Sequence, residues 1–431
     1  MATRFASLSA WLEWQERLHP SAIDLTLDRV CRVYAALGLG GFDCPVITVG
    51  GTNGKGSCTA LIESILRAEG LKVGAFTSPH LIRYNERIRL DGREASDAAL
   101  MHAFERITDA RGDVSLTFFE YNTLAALSLF ADARLEAIVL EVGLGGRLDA
   151  VNIVDADAAL VVSVGIDHVE WLGSTLEEIG REKAGIFRAG RPAVLGSAVM
   201  PASVRHAAQT LGARLIEPGR DFRWRPSGQR WSWEGSSTAF TDLPPPALAG
   251  ARQFDNAAAV LAVLESLGTR ITVTRSAVER GLQTVALPGR YQQVVRNGVE
   301  WVLDVAHNAA AADNLAANLA GSRRAGRTVA VFGALKDKDA AAIVRAVAAD
   351  IQEWLLVDLP GARGMTAAEL EERAFAGRTA DIACIGELDK ALAEAAARTR
   401  PGDRVVVFGS FYVVGPALEW LRLYSRAPKK D

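Results

Sequence analysis

The sequence predicts an α/β protein of two domains, each built around a mostly parallel β-sheet. Its 431 residues exceed what one hydrophobic core normally supports. A content of 49% hydrophobic and 23% charged residues is typical of globular proteins and argues against a disordered or collagen-like chain. Short apolar runs alternate with longer helical patterns, and this alternation favours parallel strands covered by helices on both faces.

In the first part of the chain, apolar runs bounded by Gly, Asp or Arg predict buried strands at 46–49, 137–142, 159–164 and 193–195. Patterns with helical spacing predict helices at 57–69, 177–188, 252–267 and 276–285. Segment 222–234 alternates apolar and polar residues around a Pro-Ser-Gly-Gln turn, which predicts a β-hairpin with Trp224, Trp231 and Trp233 on its buried face.

The segment 286–290, which contains Pro288 and Gly289, interrupts both kinds of periodicity. We therefore place a domain boundary there, with domains at 1–287 and 288–431. After the boundary, Ala-rich helical patterns separate a second series of predicted strands at 300–305, 328–332, 354–357 and 404–408.

Charge and composition exclude several classes of protein. Lys and Arg number 48 against 51 Asp and Glu, so no basic excess points to nucleic acid or a membrane as a partner. The four cysteines lie far apart, which argues against a disulfide framework or a zinc cage. Arg4, Glu13 and Glu16 are incompatible with a signal peptide, and no apolar run is long enough to span a bilayer. We expect a cytoplasmic monomer.

Residues 47–57 combine a strand, a glycine-rich turn and a helix start. Glycines let backbone N–H groups face phosphate oxygens, and Lys55 adds a point charge. The strict phosphate-loop pattern fails, because Val49 replaces its first Gly and Gly56 separates Lys55 from Ser57. The order of the parts still favours nucleotide binding over a simple tight turn. The predicted phosphate-binding residues are Gly51, Thr52, Asn53, Gly54, Lys55, Gly56 and Ser57.

Acidic and polar residues follow several predicted strands. Glu141 ends an apolar run, and a carboxylate at that edge of a parallel sheet beside a phosphate loop is a candidate Mg²⁺ ligand. We expect Asp167 and His168 to end the next strand in the same crevice. In the second domain, Asp304 and His307 occupy a similar strand exit, and 332–338 and 408–411 resemble it, which indicates a domain face that helps to build an active site.

Segments 51–57, 78–88, 141–149 and 180–186 together resemble the folylpolyglutamate synthase and dihydrofolate synthase family, a branch of the Mur-type ATP-dependent ligases. Segments 304–308 and 409–411 fit as well, so the resemblance covers nearly the whole chain. Segment 78–88, SPHLIRYNERI, is similar to the loop that binds folate and metal in that family. The resemblance implies an N-terminal P-loop ATPase-like domain and a smaller C-terminal Rossmann-like domain.

The resemblance also implies roles for individual residues. One Mg²⁺ would be ligated by Ser57, Ser78, Glu141 and His168, and a carbamylated Lys183 would ligate or orient a second ion. ATP would be contacted by Lys55, Asn256, Arg290 and Asp304. Catalysis would depend on Lys55, His168, Lys183, Asp304 and His307. The pteroate or folate substrate would be bound by Pro79, His80, Leu81, Arg83, Phe119, Asp149 and Ser410.

The activity so implied joins L-glutamate to dihydropteroate or a reduced folate. The substrate carboxylate would attack the γ-phosphate of ATP, and the amine of glutamate would displace phosphate from the acyl phosphate. Lys55, Arg290 and Mg²⁺ would offset the repulsion between like charges.

Other functions stay open on the sequence alone. A peptidoglycan Mur ligase would usually carry a further domain ahead of the loop, where only 49 residues precede Gly50. A regulatory GTPase would carry an Asn-Lys-x-Asp signature, and Lys336 to Asp339 lacks its Asn. A non-enzymatic ATP-binding module would not explain the polar strand ends of the second domain. The sequence does not decide between dihydrofolate synthase, folylpolyglutamate synthase and both.

Overall fold

The computed structural model describes residues 4–322, 326–377 and 380–424, which form two compact units. The first unit comprises residues 4–80, 84–247 and 254–285, and the second comprises 81–83, 248–253 and the described residues from 286 onward. The domain boundary between 287 and 288 remains a prediction. None of the described helices is long and apolar enough to cross a lipid bilayer.

An eight-stranded sheet forms the centre of the first unit, in the order β4-β3-β2-β5-β1-β6-β7-β8. From β2 to β8 along this order, neighbouring strands are parallel. At the other edge of the sheet, β3 pairs antiparallel with β2, and β4 pairs antiparallel with β3. The central strands are buried on both faces, as their continuous apolar runs predict. The strands are β1 (Val46–Gly50), β2 (Val73–Phe76), β3 (Ile88–Leu90), β4 (Arg93–Glu94), β5 (Ala137–Glu141), β6 (Ala158–Val161), β7 (Pro192–Leu195) and β8 (Arg214–Ile216).

Two predicted elements of this unit end well before their predicted bounds. The strand predicted to 164 ends at Val161, and the helix predicted to 188 ends at Ala184, where the N–H of Gly185 bonds back to the carbonyls of Glu182 and Lys183. The helices are α1 (Leu8–Glu16), α2 (Asp28–Leu37), α3 (Lys55–Glu69), α4 (Asp97–Arg111), α5 (Phe118–Asp132), α6 (Val169–Leu172), α7 (Leu176–Ala184), α8 (Ala202–Leu211), α9 (Arg252–Ser266) and α10 (Arg275–Thr284).

A separate three-stranded antiparallel sheet consists of β9 (Arg223–Ser227), β10 (Arg230–Glu234) and β11 (Ala239–Leu243). The predicted hairpin is confirmed, and β11 is an additional strand. Trp231 and Trp233 are fully buried. The indole N–H of Trp233 donates to the carbonyl of Ala258 at 3.0 Å, and that of Trp224 donates to Asp255 Oδ1 at 2.9 Å. These bonds attach the small sheet to α9.

The second unit contains a six-stranded sheet in the order β12-β13-β17-β14-β15-β16, parallel except for β12. The four predicted strands are present, and the α/β fold class is confirmed. The strands are β12 (Gln292–Arg296), β13 (Val299–Asp304), β14 (Thr328–Phe332), β15 (Glu353–Val357), β16 (Asp381–Gly386) and β17 (Arg404–Phe408). The helices are α11 (Ala309–Gly321), α12 (Ala340–Val347), α13 (Ala367–Phe375), α14 (Leu388–Arg398) and α15 (Phe411–Trp420).

Candidate active site

The glycine-rich loop joins central strand β1 to helix α3, and the chain that follows β6 fixes its shape. The backbone N–H of Thr52 donates to the carbonyl of Ser163 at 2.8 Å. The Ser163 hydroxyl accepts from the N–H of Asn53 at 3.0 Å and donates to the Asn53 carbonyl at 2.9 Å. The loop backbone is therefore held in place before any ligand arrives.

Gly54 precedes the first residue of α3 and has a φ of +90°, which disfavours residues with a side chain. A Cβ atom here would lie 2.8 Å from Val162 Cγ1 and 3.1 Å from Asn256 Oδ1. Asn256, predicted to contact ATP, thus lies against the phosphate loop. With glycine at its N-cap, α3 presents the N–H groups and positive dipole end of its first turn to an anion.

Lys55 and Lys183 belong to one electrostatic cluster. The Lys55 ammonium donates to the carbonyls of Gly51 and Thr52 at 2.9 and 3.2 Å, within its own loop. Lys183, in the last turn of α7, is buried. Burial and, after it, the charge of Lys55 lower the pKa of Lys183 to about 7, while Asp167 and Asp149 act in the opposite direction.

Asp149 is a buried carboxylate in the turn that follows β5. Its oxygens accept from the backbone N–H groups of Leu144 and Val151 at 2.8 and 3.0 Å. Burial raises the pKa of Asp149 to about 6 against these hydrogen bonds and the charge of Lys55. Its predicted contact with substrate stays a prediction, since the described contacts are to its own turn and the lysine cluster.

The turn after β5 also packs against α7. A Cβ on Gly146 would lie 3.0 Å from the carbonyl oxygens of both Glu182 and Lys183, so a side chain here would press on the backbone of α7. The N–H of Arg147 donates to the Glu182 carbonyl at 2.8 Å. The Phe119 ring, predicted to contact the substrate, covers Gly143 at the start of the turn. Residues 143–147 therefore position Lys183.

Glu141 ends β5 directly opposite Val49 of β1, and its side chain is buried. The backbone N–H of Ser78 donates to Glu141 Oε2 at 3.3 Å. Burial and, after it, the charge of Glu141 raise the pKa of the Cys58 thiol. Glu141 therefore lies near the first turn of α3, which also carries the buried Ser57. Glu141 thus lies close to Ser78 and to this turn, and carboxylate and hydroxyl oxygens are ligands of the kind that Mg²⁺ prefers.

Among the residues that the structure describes, no three His, Cys, Asp or Glu side chains form a group that could hold a metal ion. A metal beside Glu141 would therefore need hydroxyl, phosphate or water oxygens as further ligands. Mg²⁺ commonly uses one or two carboxylates together with substrate phosphates, so the donor set fits this ion.

The expectation that His168 ends a strand is wrong. The strand β6 ends at Val161, and the residues after it turn aside to hold the phosphate loop. His168 has a left-handed backbone with a φ of 52° and precedes α6, with its Nε2 3.9 Å from Asp167 Oδ1. A loop rather than a strand end positions this imidazole, and its predicted role as a metal ligand and catalytic residue remains a prediction.

The loop after β2 carries the predicted substrate residues Pro79 and His80. His80 Nδ1 accepts a hydrogen bond from Arg87 Nε at 2.8 Å. Burial and, after it, the charge of Arg87 lower the pKa of His80 to about 3, so this imidazole is neutral at pH 7. The Arg87 guanidinium lies 5.6 Å from the centroid of the Phe118 ring.

Leu81 and Arg83, also predicted to bind substrate, belong to the second unit. Leu81 packs on the core of that unit, where its carbonyl approaches Gly415 and its side chain approaches Gly289. The described contacts of Leu81 are therefore packing contacts, and contact of either residue with substrate stays a prediction.

In the second unit, Asp304 ends β13 and accepts hydrogen bonds from the N–H groups of Tyr291 and Ala306 at 2.9 and 2.8 Å. Burial raises the pKa of Asp304 to about 6 in opposition to the charge of Arg290. The Arg290 guanidinium lies 5.5 Å from the centroid of the Phe411 ring. Arg290 and Asp304, both predicted to contact ATP, thus lie together.

His307 and Ser410 lie at the same edge of this sheet. His307 Nδ1 bonds to the Val305 carbonyl at 2.8 Å, and because a carbonyl only accepts, Nδ1 carries the proton. The Ser410 hydroxyl is buried and caps α15 by accepting from the N–H of Tyr412 at 3.2 Å. Register partners Asp304 and Phe408 end the neighbouring strands β13 and β17, so these side chains share one edge.

Sequence reasoning did not assign Ser163 to the site, and it placed Asp167 in the crevice without giving it a role. Ser163 lies within a predicted strand, but β6 ends two residues before it, at Val161. The Ser163 side chain is therefore in a loop, where it holds the phosphate loop through Asn53. Asp167 was recognised only as the neighbour of His168, although it acts on the pKa of Lys183. Polar residues directly after an apolar run would have been the available signal for both.

Comparison with known proteins agrees with this architecture. Residues 49–214 match the family described as Mur ligase middle domain, and residues 289–411 match the family described as Mur ligase, glutamate ligase domain. A protein of Escherichia coli (strain K12) named dihydrofolate synthase/folylpolyglutamate synthase is 42% identical over 412 residues, which cover 96% of this chain and 95% of the relative.

Solved structures are similar over almost the whole length. The structure of E. coli FolC in complex with DHPP and ADP has a TM-score of 0.92 and 41% identity, and covers 98% of this chain and 99% of its own. A bifunctional folylpolyglutamate synthase/dihydrofolate synthase of Yersinia pestis, complexed with AMPPNP and Mn ion, has a TM-score of 0.90 and 41% identity, covering 98% and 100%. The chain therefore belongs to the dihydrofolate synthase/folylpolyglutamate synthase family, a group of ATP-dependent ligases within the Mur ligases.

Proposed function

We propose that this chain forms an amide bond between the carboxylate of a pteroate or folate and the amine of L-glutamate at the expense of ATP. The observation that carries the proposal is that the first unit brings a lysine-bearing phosphate loop and the buried Glu141 to adjacent strand ends, with Ser78, in the loop after β2, bonded to Glu141. The names of the relatives and the nucleotides in their structures support it.

The reaction must activate a carboxylate, because amide formation in water is uphill. An oxygen of the acid attacks the γ-phosphorus of ATP, and ADP leaves. The neutral amine nitrogen of glutamate then attacks the carbonyl carbon of the acyl phosphate, phosphate departs with the bridging oxygen, and the nitrogen releases one proton and keeps the other in the amide. Lys55 and the first-turn N–H groups of α3 stabilise the negative charge on the transferring group.

Glu141, Ser57 and Ser78 would hold the divalent ion, and His168 is proposed as a further ligand. Bound there, Mg²⁺ would neutralise phosphate charge and polarise the γ-phosphoryl group. In the second unit, Arg290 and Asp304 are proposed to contact ATP, and His307 and Ser410 the organic substrates. Their clustering at one strand edge supports this assignment.

Lys183 is proposed to carry a carbamate. With a pKa of about 7, much of its amine is neutral at neutral pH. The nitrogen lone pair can attack the carbon of CO₂, and loss of a proton leaves an anionic carbamate. The change replaces a cation next to Lys55 with an anion that can orient a second Mg²⁺. NMR of protein equilibrated with ¹³C-bicarbonate should give one carbamate signal that Lys183→Arg removes.

Both activities are named together for the relatives, and we propose that this chain carries both. Turnover of dihydropteroate and of a reduced folate monoglutamate should each be measured. Activity with only one of them would restrict the chain to one reaction.

The decisive test of the function is release of phosphate from ATP. It should require both a pteroate-type acid and L-glutamate, with Lys55→Ala as the inactive control. Release that needs neither compound would indicate an NTPase switch. Release stimulated by a nucleotide-sugar peptide would indicate a peptidoglycan ligase.

A further inference from the structure

We infer that Arg89 is a positioning residue that fixes the substrate loop, defined here as residues 77–87, against helix α3 and so places Ser78 beside Glu141. The inference rests on the proposed function of this loop and of Glu141. In this role Arg89 acts through the loop and does not itself contact the substrate.

The first observation is a forked ion pair between Arg89 and Glu63. Arg89 Nε lies 2.9 Å and Nη2 lies 2.6 Å from Glu63 Oε2. The Glu63 side chain is only 8% exposed and that of Arg89 19%, so water competes weakly for the pair. Glu63 lies on α3, the helix whose first turn forms part of the phosphate loop. Arg89 is thereby attached to the nucleotide-binding element.

The second observation is that the remaining guanidinium nitrogen bonds to both ends of the substrate loop. Arg89 Nη1 donates to Thr77 Oγ1 at 3.2 Å and to the Glu86 carbonyl at 3.0 Å. Thr77 closes the same junction, since its hydroxyl donates to the Glu86 carbonyl at 3.3 Å and its N–H to the Arg87 carbonyl at 2.8 Å. One side chain therefore joins the base of the loop to α3.

The third observation concerns what the loop base carries. Ser78 follows Thr77 directly, and its N–H donates to Glu141 Oε2 at 3.3 Å. Burial disfavours the charged guanidinium of Arg89, but Glu63 first and then Glu141 raise its pKa, so its charge also acts on Glu141. A shift of Arg89 would move Ser78 and weaken the field at Glu141 together.

The backbone at Arg89 does not depend on this side chain. Arg89 lies within β3, opposite Ala75 of β2 and Glu94 of β4. The sheet thus fixes where the side chain begins, and the planar guanidinium provides donors in three directions. A lysine at this position would keep the charge but could not reach Glu63, Thr77 and Glu86 at once.

The test separates positioning from stability. Arg89→Met alone leaves Glu63 buried and unpaired, which can prevent folding. The double variant Arg89→Met/Glu63→Met removes both charges with side chains of similar volume. Arg275→Met/Glu279→Met removes the more exposed pair of α10 and is the matched control.

Three measurements on the ligand-free protein are needed. They are the melting temperature, hydrogen exchange across residues 77–87, and the dissociation constant of Mn²⁺ alone as measured by electron paramagnetic resonance. The double variant should melt close to wild type, yet exchange faster in 77–87 and bind Mn²⁺ about 10-fold or more weakly. KM for the acid should rise more than KM for ATP. In each of these measurements Arg89→Lys should give a value between wild type and the double variant. The control pair should behave as wild type.

A double variant with wild-type exchange, Mn²⁺ affinity and KM values would overturn the inference and leave the pair a purely stabilising role. If wild-type protein binds no Mn²⁺ but exchange in 77–87 responds to the double variant, the positioning role stands and the proposed metal site fails.

Discussion

Lys183 is buried in the same electrostatic cluster as Lys55, and much of its amine is neutral at neutral pH. Burial lowers the pKa of Lys183 to about 7, and the charge of Lys55 contributes to the decrease. Lys55 bonds to carbonyls of its own loop, whereas Lys183 is held at the end of α7 by the turn after β5. One lysine is thus suited to bind phosphate and the other to react as an amine.

The depressed pKa of Lys183 should make stability depend on pH. Between about pH 7 and 10.5 the unfolded chain binds the proton that the folded chain lacks, so the free energy of unfolding increases with pH in this window. One such group contributes a slope of at most about 1.4 kcal/mol per pH unit. Lys183→Met should lose this slope and be the more stable protein near pH 6.5.

Urea unfolding in CO₂-free buffer between pH 6.5 and 9.5 measures the effect of Lys183→Met. Lys390→Met, at an exposed position, is the control and should follow the wild type. Parallel curves for wild type and Lys183→Met would show that Lys183 titrates normally.

Lys55→Ala should abolish ATP-dependent turnover, with a loss of about 100-fold or more in kcat, because a charge facing the transferring phosphoryl group is removed. The melting temperature should change little, since the Lys55 ammonium donates to the carbonyls of Gly51 and Thr52 within its own loop. Lys390→Ala serves as the control. Near-normal turnover by Lys55→Ala would refute the assignment of the phosphate loop.

Gly54→Ala should weaken nucleotide binding more than it weakens the fold. Its Cβ would press on Val162 and Asn256, whereas Gly70, at the other end of α3, has a similar φ of +98° and open space around it. Gly70→Ala should therefore introduce backbone strain of about 1 kcal/mol and lower the melting temperature, while nucleotide affinity stays unchanged. Titration with a fluorescent ADP analogue compares the two, and equal affinities would contradict the geometry.

The raised pKa of Asp304 has the opposite consequence for stability. Between about pH 3.8 and 6 the folded chain binds the extra proton, so this contribution is complete below pH 3.8 and is lost as pH rises through 6. Asp304→Asn removes one of two hydrogen-bond acceptors, which should cost about 1–3 kcal/mol at any pH. It also removes the titration, so the total cost should be larger at pH 4.5, where wild type keeps the contribution of the bound proton, than at pH 8, where wild type has lost it.

Urea unfolding of wild type and Asp304→Asn at the two pH values provides the comparison, with the exposed Asp313→Asn as control. A cost that is the same at both pH values would mean that Asp304 titrates as an ordinary carboxyl.

The sequence predicted the elements whose patterns are local and strong. The strands β1, β5, β13 and β17 each contain a run of mostly apolar residues, because both their faces are buried. By contrast, β4 is only Arg93–Glu94, and β12 begins with two glutamines. Such edge strands owe their existence to pairing with a neighbour, which no short window of sequence reveals.

The residues of the candidate site were likewise predictable where a local pattern marks them. The phosphate loop and Glu141 follow from residue order along single strands. The burial of Lys183 does not, because its helix is crowded with charges and the turn that covers it lies some 40 residues earlier in the chain. The pair of Arg89 with Glu63 joins a strand to a helix and likewise depends on tertiary packing.

The central claim, transfer of the γ-phosphoryl group of ATP to an organic acid, is tested most directly with ¹⁸O in the carboxylate of dihydropteroate. After turnover with ATP and L-glutamate, mass spectrometry of the released phosphate should find one ¹⁸O atom per molecule, taken from the bridging position of the acyl phosphate. Phosphate free of label, formed at the rate of the amide product, would contradict the account.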